Sequence, residues 1–307
     1  MGFEKVVLVT RRTRLEGLLE RFLTKRQARF YLEREGTDFA PYEEEDAVYR
    51  TALERLRREL DFGLPVQAID RSLAPAFLFA AGDLVVTAGQ DGLVANVAKY
   101  ARGQPIVAVN PDPRRIDGTL LPFGVPQARA AAARVLEGRA VLREVTMAEA
   151  VLADGQRLLA FNDLFIGARS HVSARYRISH GERTERQSSS GVLVSTGAGS
   201  TGWLSSVFNM AAGVSSAFGG APAAAPALAW EDPRLAYVVR EPFRSRETEA
   251  GLVAGLLAPG AELTLESLMP SGGAVFSDGI EADFLAFDSG ATAVVRAAPE
   301  RARLAAA

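Results

Sequence analysis

Hydrophobic residues recur at two spacings along the chain, and the spacing changes near Gly138. Before that point, short apolar runs typical of buried strands are separated by segments with helical spacing. The runs lie at 6–10, 66–69, 84–87 and 106–109, and the helical positions are Leu15, Leu18, Leu19 and Phe22, then Val48, Ala52, Leu53, Leu56 and Leu60. Thr13 and Glu16 have the spacing of a capping box. Strands that alternate with helices indicate a parallel sheet covered on both faces.

After Gly138, apolar and polar residues alternate, which is typical of half-buried strands. The alternating segments are 261–267 and the run with Val172, Ala174, Tyr176 and Ile178 on one face. Asp278-Gly279, between Val275-Phe276 and Ile280, is a strong hairpin signal. Residues 217–229 are rich in Ala, Pro and Gly and are predicted to form a mobile surface loop. The second half of the chain is therefore predicted to be mainly β.

The composition narrows the class of protein. Hydrophobic residues make up 48% of the 307 positions, which is enough for a sizeable core, and the net charge of −2 argues against a dedicated nucleic-acid binder. Seven basic residues are dense near the start and are typical of a solvated helix face: Arg11, Arg12, Arg14, Arg21, Lys25, Arg26 and Arg29. No apolar run approaches the ~20 residues of a membrane span, and the first residues have no cleavage signature. We expect a cytoplasmic protein that binds neither nucleic acid nor membrane.

Missing residue types exclude several chemistries. The chain has no cysteine, which excludes disulfides, thiolate catalysis and zinc–sulfur sites. It has two histidines, His171 and His180, so a histidine-based metal site is not expected and no metal ligands are assigned. His171 is expected to be structural, and His180 is expected to be exposed in a hairpin-like turn. Two glycine-rich turns remain as candidate sites.

The first turn lies in the segment LVVTAGQDGLVANVAK, residues 84–99, where a strand is followed by a turn and a helix. Gly89 and Gly92 allow backbone to approach a bulky anion, and the helix presents unpaired N–H groups to it. Asp91 would repel phosphate unless it takes a proton from a nucleophile or helps to hold a metal. The alternative is an ordinary turn in which Asp91 caps the helix.

The second turn lies in SSSGVLVSTGAGSTGWLSS, residues 188–206. A strand at 192–195 leads into residues 196–201, where hydroxyls and bare backbone amides are suited to bind a ribose, a pyrophosphate or an amide. The alternative is a Ser/Gly turn in which Ser200 or Thr201 caps the next helix. The Asp91 turn elsewhere in the chain favours the binding interpretation.

Together these segments resemble the NAD kinase family, whose wider superfamily includes diacylglycerol and sphingosine kinases. That family has GGDGT after a strand, an Asn-Glu pair that opens the β domain, and a DGLxVSTPTGSTAY-like segment. The matching positions here are Gly89-Gln90-Asp91-Gly92-Leu93, Asn162-Asp163 and the segment from Ser190 to Trp203. The segments 109–115, 189–191 and 240–242 look most like the mitochondrial-type branch. The similarity keeps the same order from about Leu84 to Asp278.

The resemblance implies a fold and a division into domains. It implies an N-terminal Rossmann-like α/β domain, a C-terminal β-rich domain of the β-sandwich type, and a last segment that returns to the first domain. We place these at residues 1–138, 139–285 and 286–307. In this family the site lies between the two domains.

The resemblance also implies an activity: a kinase that uses ATP or polyphosphate, with Mg²⁺, to phosphorylate the adenosine ribose 2′-hydroxyl of NAD and so make NADP. Asp91 matches the aspartate held to deprotonate that hydroxyl. The residues expected beside the phosphates are Gly89, Gln90, Gly92, Asn110, Arg114 and Arg115. The residues expected to bind NAD are Asn162, Asp163, Ser190, Thr196, Ser200, Thr201, Gly202 and Ser206. Family members form dimers or tetramers, so a homodimer or homotetramer is expected.

Three positions depart from the family pattern. Gln90 replaces a glycine, Leu93 replaces a threonine, and Ser190 replaces an aspartate that lies near the nicotinamide amide, although the mitochondrial-type branch shares this last change. Glutamine tolerates positive φ poorly, so Gln90 is predicted to have ordinary backbone angles with its amide towards the site. Two alternatives stay open: a kinase acting on another hydroxyl, such as a sugar or a lipid headgroup, and a non-catalytic dinucleotide sensor on the same fold.

Overall fold

The computed structural model describes residues 2–307 and divides into two compact units. Unit 1 contains the chain up to Arg143 together with Arg303–Ala307, and unit 2 is Glu144–Ala302. The division thus falls after Arg143 rather than after 138. The returning segment is 303–307 rather than 286–307, because residues 292–295 pair with a strand of unit 2. Among the described residues, no helix has the length and apolar character needed to cross a membrane.

Unit 1 is a parallel sheet with helices. Its elements are β1 (Lys5–Thr10), α1 (Arg14–Phe22), α2 (Lys25–Arg34), α3 (Ala40–Glu59), β2 (Val66–Asp70), β3 (Asp83–Ala88), α4 (Asp91–Ala98), β4 (Pro105–Asn110), β5 (Phe123–Gly124) and α5 (Ala128–Leu136). The strands are ordered β2-β1-β3-β4, with β5 also paired to β4, and all these pairs are parallel. The apolar strands and the inner faces of α3 and α5 form one core. The predicted α/β architecture is confirmed.

Unit 2 is built from two sheets. Its elements are β6 (Leu142–Leu152), β7 (Arg157–Ala160), β8 (Asp163–Ala168), β9 (Ala174–His180), β10 (Arg183–Ser189), β11 (Val192–Ser195), α6 (Trp203–Ala217), β12 (Leu235–Val239), β13 (Ala254–Leu257), β14 (Leu263–Ser267), β15 (Gly273–Ser277), β16 (Ile280–Ala286) and β17 (Thr292–Ala305). One sheet has the order β10-β9-β14-β17 with β6 and β7 beside β17, and the other is β13-β12-β11-β8-β15-β16. Residues from both sheets share one apolar core, which confirms the predicted β-sandwich.

Several local predictions are confirmed. Thr13 and Glu16 form the capping box at the start of α1. The strand β9 alternates buried and exposed residues with Ala174, Tyr176 and Ile178 inside. Asp278 and Gly279 have φ values of 50° and 69°. Positive φ at both central residues is the requirement of a type I′ hairpin turn, so the Asp-Gly signal has its predicted meaning.

Two predictions about polar residues are wrong. His180 is not exposed in the turn: it ends β9, is half-buried, and packs edge-on against Tyr237 with ring centroids 5.4 Å apart. Arg11 is not on a solvated face, because its side chain is 11% exposed and pairs with Glu45 at 3.0 Å. Burial would raise the pKa of Glu45, but hydrogen bonds from Arg14 and Arg11 outweigh burial and hold it below its usual value.

Tyr49 joins α3 to the carboxyl edge of the parallel sheet. Its hydroxyl donates to Ala88 O at 2.8 Å, at the end of β3, and accepts from Arg11 N at 2.9 Å, just after β1. The residue is 3% exposed, and burial raises the pKa of the phenol to about 12. The two bonds satisfy one backbone donor and one backbone acceptor where neighbouring strands end.

We predict that Tyr49→Phe destabilises the protein by about 1–3 kcal/mol, because Arg11 N and Ala88 O both lose a buried partner. The measurement is urea denaturation of the variant and the parent protein. Tyr31→Phe is the matched control, since Tyr31 is 37% exposed and its hydroxyl makes no hydrogen bond within residues 2–307. Equal stabilities for the two variants would contradict the role assigned to the Tyr49 hydroxyl.

Candidate functional site

In unit 1, the candidate turn lies where the order of the strands reverses. The chain adds β2 on one side of β1 and β3 on the other, so the switch point is between β1 and β3. In open α/β sheets, ligands bind outside the carboxyl ends of the strands at such a point. Gly89–Gly92 directly follow β3, and Arg11 follows β1. The fold thus places the sequence-predicted turn at the edge where ligands bind in folds of this kind.

Asp91 is held by the loop that follows β4. Its Oδ1 accepts from Leu120 N at 2.8 Å and its Oδ2 accepts from Thr119 N at 3.1 Å. Gln90, with φ −106° and ψ 168°, is the residue that caps α4, and Asp91 is the first helical residue. The alternative in which Asp91 caps the helix is therefore wrong. Its carboxylate is oriented by two backbone donors from a different segment.

The three residues around Asp91 are under different structural constraints. Gln90 has the ordinary backbone angles that were predicted, and its exposed side chain makes no capping bond to the helix. A Cβ at Gly89 would lie 2.7 Å from Leu93 Cδ2 and 3.6 Å from Arg11 Cδ, so a larger residue would have to displace its neighbours. A Cβ at Gly92 would meet nothing within 4 Å. The space beside Gly92 is open to a ligand.

The residues after β4 mostly serve the loop itself. Asn110 is buried, accepts from Asp112 N at 3.0 Å and donates to Ile116 O at 2.8 Å. Arg115 pairs with Asp112 at 3.2 Å and also with Glu44. Arg114 is exposed, and its guanidinium has no ion pair or hydrogen bond within residues 2–307. Of the two arginines predicted to bind phosphate, Arg114 is thus the one without a protein partner.

In unit 2, the hairpin aspartate organises the start of β8. The carboxylate of Asp278 accepts from the backbone N–H groups of Phe161 at 2.9 Å, Asn162 at 2.7 Å and Asp163 at 3.2 Å. Asp278 N in turn donates to Asp163 O at 3.0 Å. The sequence predicted the turn at this residue but not its role as an anchor. The side-chain amide of Asn162 makes no hydrogen bond within the described residues.

Asp163 is a carboxyl group with an unusual environment. Its Oδ1 is buried and has no hydrogen-bond partner. The pKa of Asp163 is raised to about 7, mainly by burial; the Ser195 hydroxyl opposes the shift, and the charge of Asp278 adds to it. Buried carboxyls with displaced pKa values are common at functional sites. Asp163 is thus partly protonated near neutral pH.

Most hydroxyls of the second glycine-rich turn are used inside the protein. Thr196 donates to Phe161 O at 2.6 Å and accepts from Gly199 N at 3.2 Å. Ser200 donates to Gly197 O at 2.7 Å. The hydroxyl of Ser206 donates to Gly202 O at 3.2 Å, and that of Ser190 donates to the carboxylate of Glu241. Thr201 is exposed, and its hydroxyl makes no hydrogen bond within residues 2–307.

Aromatic side chains that were not predicted lie beside these residues. Trp203, the first residue of α6, stacks on Phe165 with centroids 5.5 Å apart, and Phe165 stacks on Phe276 at 6.3 Å. They line a cavity of about 450 Å³ together with Asn162 and Asp163. A tryptophan inside the quoted motif, in a chain with only 2 tryptophans, was a signal that could have been used. Phe165 and Phe276 had no distinguishing signal.

The described residues contain no cluster of three or more His, Cys, Asp or Glu side chains arranged to hold a metal ion. Mg²⁺ is commonly held by one or two carboxylates together with substrate phosphate oxygens and water, rather than by an all-protein cage.

Comparison with solved structures identifies the fold. A yeast NADH kinase, solved with NADH, superposes with a TM-score of 0.60 and 15% identity over 100% of this chain and 84% of that chain. An NAD kinase from Archaeoglobus fulgidus, solved with ATP, gives a TM-score of 0.56 and 15% identity over 98% of this chain and 93% of that one. No protein-family model and no curated protein sequence matches the chain. The protein has the fold of NAD kinases, which confirms the resemblance at the level of architecture.

The glycines of the second turn give a test of close packing. A Cβ at Gly199 would lie 2.3 Å from Asn162 O and 2.7 Å from Asp163 Oδ1. We predict that Gly199→Ala destabilises the protein by about 1–3 kcal/mol, because a backbone atom must move. Gly213→Ala is the control, since its Cβ would meet nothing within 4 Å inside α6; it should be neutral or stabilise by up to about 1 kcal/mol. Urea denaturation measures the stability of both variants. A Gly199→Ala variant as stable as the parent protein would contradict the close packing at Gly199.

The displaced pKa of Asp163 predicts a pH dependence of stability. The unfolded carboxyl ionises near pH 4, whereas the folded pKa is about 7. Between these values the folded state binds more protons, so stability falls as pH rises from about 4 to about 7 and levels off above. Asp163→Asn removes the ionisable group and with it this loss of stability. The variant should therefore gain stability relative to the parent as pH rises through that window, by a few kcal/mol at most.

The measurement is urea denaturation of both proteins at pH values from about 4.5 to about 8. Glu281→Gln removes an exposed carboxylate from the same cavity and serves as the control. A difference between Asp163→Asn and the parent protein that stays constant across the range would show that Asp163 ionises normally in the folded state.

Proposed function

We propose that the protein is a kinase that transfers a phosphoryl group from ATP to the adenosine ribose 2′-hydroxyl of NAD or NADH, giving NADP or NADPH. The observation that carries the proposal is the oriented carboxylate of Asp91 at the switch point of the parallel sheet, beside the open space at Gly92. The shared fold supports it, because the compared structures are an NADH kinase with NADH and an NAD kinase with ATP.

Asp91 would act as the general base. Each of its oxygens accepts one backbone hydrogen bond, and an ionised carboxyl oxygen has a second acceptor site. The two bonds fix the direction of the carboxylate, which leaves an acceptor for the proton of the attacking hydroxyl. Phosphoryl transfer depends mainly on such positioning and on neutralising charge at the transferring group.

Phosphate binding would fall to the backbone of the Gly89–Gly92 turn and to Arg114. The N–H groups at the start of α4 point out of the helix and suit an anion. Arg114 has no competing carboxylate within the described residues, whereas Arg115 already holds two. Mg²⁺, brought by the nucleotide, would neutralise phosphate charge while held mainly by phosphate oxygens and water. Polyphosphate in place of ATP and a homodimeric or homotetrameric assembly stay predictions.

Dinucleotide recognition would fall to unit 2. Asn162 has a free side-chain amide on a backbone that Asp278 holds in place. Asp163 lines the same cavity, and Thr201 has a free hydroxyl. A partly protonated carboxyl donates one hydrogen bond and accepts others, which matches the paired hydroxyls of a ribose. These three residues are the strongest of the sequence-predicted set.

A second candidate function is a non-catalytic dinucleotide sensor. It is favoured by one observation: the two bonds of Asp91 to Thr119 and Leu120 give the residue a structural role that needs no chemistry. Gln90 adds a side chain at a position where the resembling family has glycine. The two functions differ in whether the bound dinucleotide is converted.

We predict that the purified protein makes NADP from NAD, ATP and Mg²⁺, and that Asp91→Asn lowers kcat by roughly 10²–10⁴, the usual contribution of a positioned base. Enzymatic cycling specific for NADP(H) measures the product. Asp117→Asn is the control, because Asp117 is an exposed carboxylate near the same loop. Thermal unfolding is measured in parallel, since Asn offers one oxygen to two backbone donors and will lower stability.

An unchanged kcat in Asp91→Asn would remove the residue from the mechanism. A parent protein that binds NAD but forms no NADP would overturn the kinase proposal in favour of the sensor. Product formed with another hydroxyl acceptor, and not with NAD or NADH, would identify a kinase with a different substrate.

A further inference from the structure

Arg240 is a cation of unit 2 that lies beside the aromatic residues of the candidate site. It follows β12, and its backbone is locked to the turn at Gly191: Arg240 N donates to Gly191 O at 2.8 Å, and Ser190 N donates to Arg240 O at 2.9 Å. The next residue, Glu241, has a φ of 49°, which is rare for a residue with a side chain. The backbone that carries the guanidinium is therefore closely defined.

The guanidinium of Arg240 lies over aromatic rings without a carboxylate partner. Its central carbon is 5.4 Å from the centroid of the Trp203 ring and 5.9 Å from that of Phe165. Within residues 2–307 it makes no ion pair or side-chain hydrogen bond, although Glu241 beside it bonds Ser190 instead. Some arginines of this unit are paired with carboxylates, among them Arg157 and Arg296, whereas Arg240 is not. A half-buried guanidinium has given up part of its hydration, and an anionic ligand would restore those hydrogen bonds.

Two cavities meet at this residue. The cavity of about 450 Å³ that contains Asn162 and Asp163 and a second cavity of about 570 Å³ under α6 are both lined by Arg240 and Trp203. The second cavity is largely apolar, with Val207 and Met210 in its wall. Each volume is within the range of small-molecule sites. Aromatic and apolar walls suit planar rings.

We propose that Arg240 binds the diphosphate of a dinucleotide whose two ring-bearing ends occupy these two cavities. A guanidinium pairs with phosphate through two parallel hydrogen bonds, which adds direction to the charge attraction. In a dinucleotide, a diphosphate joins two nucleosides. In this unit, two cavities share Arg240, so each nucleoside would occupy one cavity and the diphosphate would lie at the guanidinium. The inference rests on the proposed function for the class of ligand, and it assigns a role to a residue that lies in a resembling segment, 240–242, but was not among the predicted site residues.

The test is calorimetric titration of Arg240→Gln and the parent protein with NAD and with adenosine, which lacks phosphate. The Kd for NAD should rise about 10- to 100-fold, as expected for loss of a charged hydrogen-bond donor. The Kd for adenosine should change less than about twofold. The NAD affinity of the variant should also fall less steeply with added salt, because one charge contact is missing. Arg246→Gln is the matched control, an exposed arginine on the same connection.

Equal weakening of NAD and adenosine would show that Arg240 only supports the cavity wall through Trp203, and would overturn the proposal. An unchanged Kd for NAD would overturn it as well. The kinase proposal is separable, because binding is measured without ATP. Loss of phosphate-dependent binding in a protein that forms no NADP would keep the inference and reject the kinase. If the parent protein forms NADP and Arg240→Gln binds NAD with an unaltered Kd, the kinase proposal is kept and the inference about Arg240 is rejected.

Discussion

Two aspartates that hold backbone N–H groups are the interactions on which both candidate sites depend. Asp91 binds the N–H groups of Thr119 and Leu120, and Asp278 binds three at 161–163. Backbone donors in irregular segments need partners as much as those in strands do. Charged acceptors make stronger bonds to them than neutral ones. In each unit, these hydrogen bonds fix a segment that lacks regular strand pairing to the turn that carries the aspartate.

The hydrogen bonds that shape each candidate site also hold the fold together. At Asp91, the bonds that aim the carboxylate also close the loop after β4. At Asp278, the bonds that place Asn162 and Asp163 also fix the hairpin to β8. A change at either aspartate will therefore alter stability and the geometry of the candidate site together. Only measurements that separate binding, turnover and unfolding can assign the two contributions.

The elements of the fold were predictable because they follow local rules. The capping box at Thr13, the alternation in β9 and the Asp-Gly hairpin each depend on residues close in sequence. The helix α2 and the early start of α3 at Ala40 were not predicted. Their charged surface hid the small apolar cluster of Leu15, Ala28 and Phe39. A helix that buries so few residues has a weak periodic signal.

The candidate site was predictable in its motifs but not in its contacts. Asp91, Asn162 and Asp163 stand out by position in a motif, and their sequence neighbours do not reveal which backbone they meet. Asp278 acts on residues more than a hundred positions away, and Phe161 is the farthest of them in sequence, 117 positions before it. Phe165 lies in no motif, and the resemblance of segment 240–242 did not reveal which rings and cavities Arg240 meets. Such long-range pairings depend on strand order and register, which local patterns do not specify.

The glycines show most clearly that the sequence does not reveal why a residue type occurs at a position. In the second turn, Gly197 and Gly199 are explained by internal packing, because a Cβ at either would meet backbone closer than 2.5 Å, at 1.8 Å and 2.3 Å. Gly92 has no such reason, but neither do Gly17 and Gly213, which also lie in helices with open space around them. Lack of a packing reason alone therefore does not indicate a ligand. What sets Gly92 apart is its place at the first turn of α4, next to an oriented carboxylate at the switch point of a parallel sheet. Under the kinase proposal a bare backbone there would admit a phosphate, which would give a chemical purpose to the stability lost relative to alanine, about 1 kcal/mol in a helix.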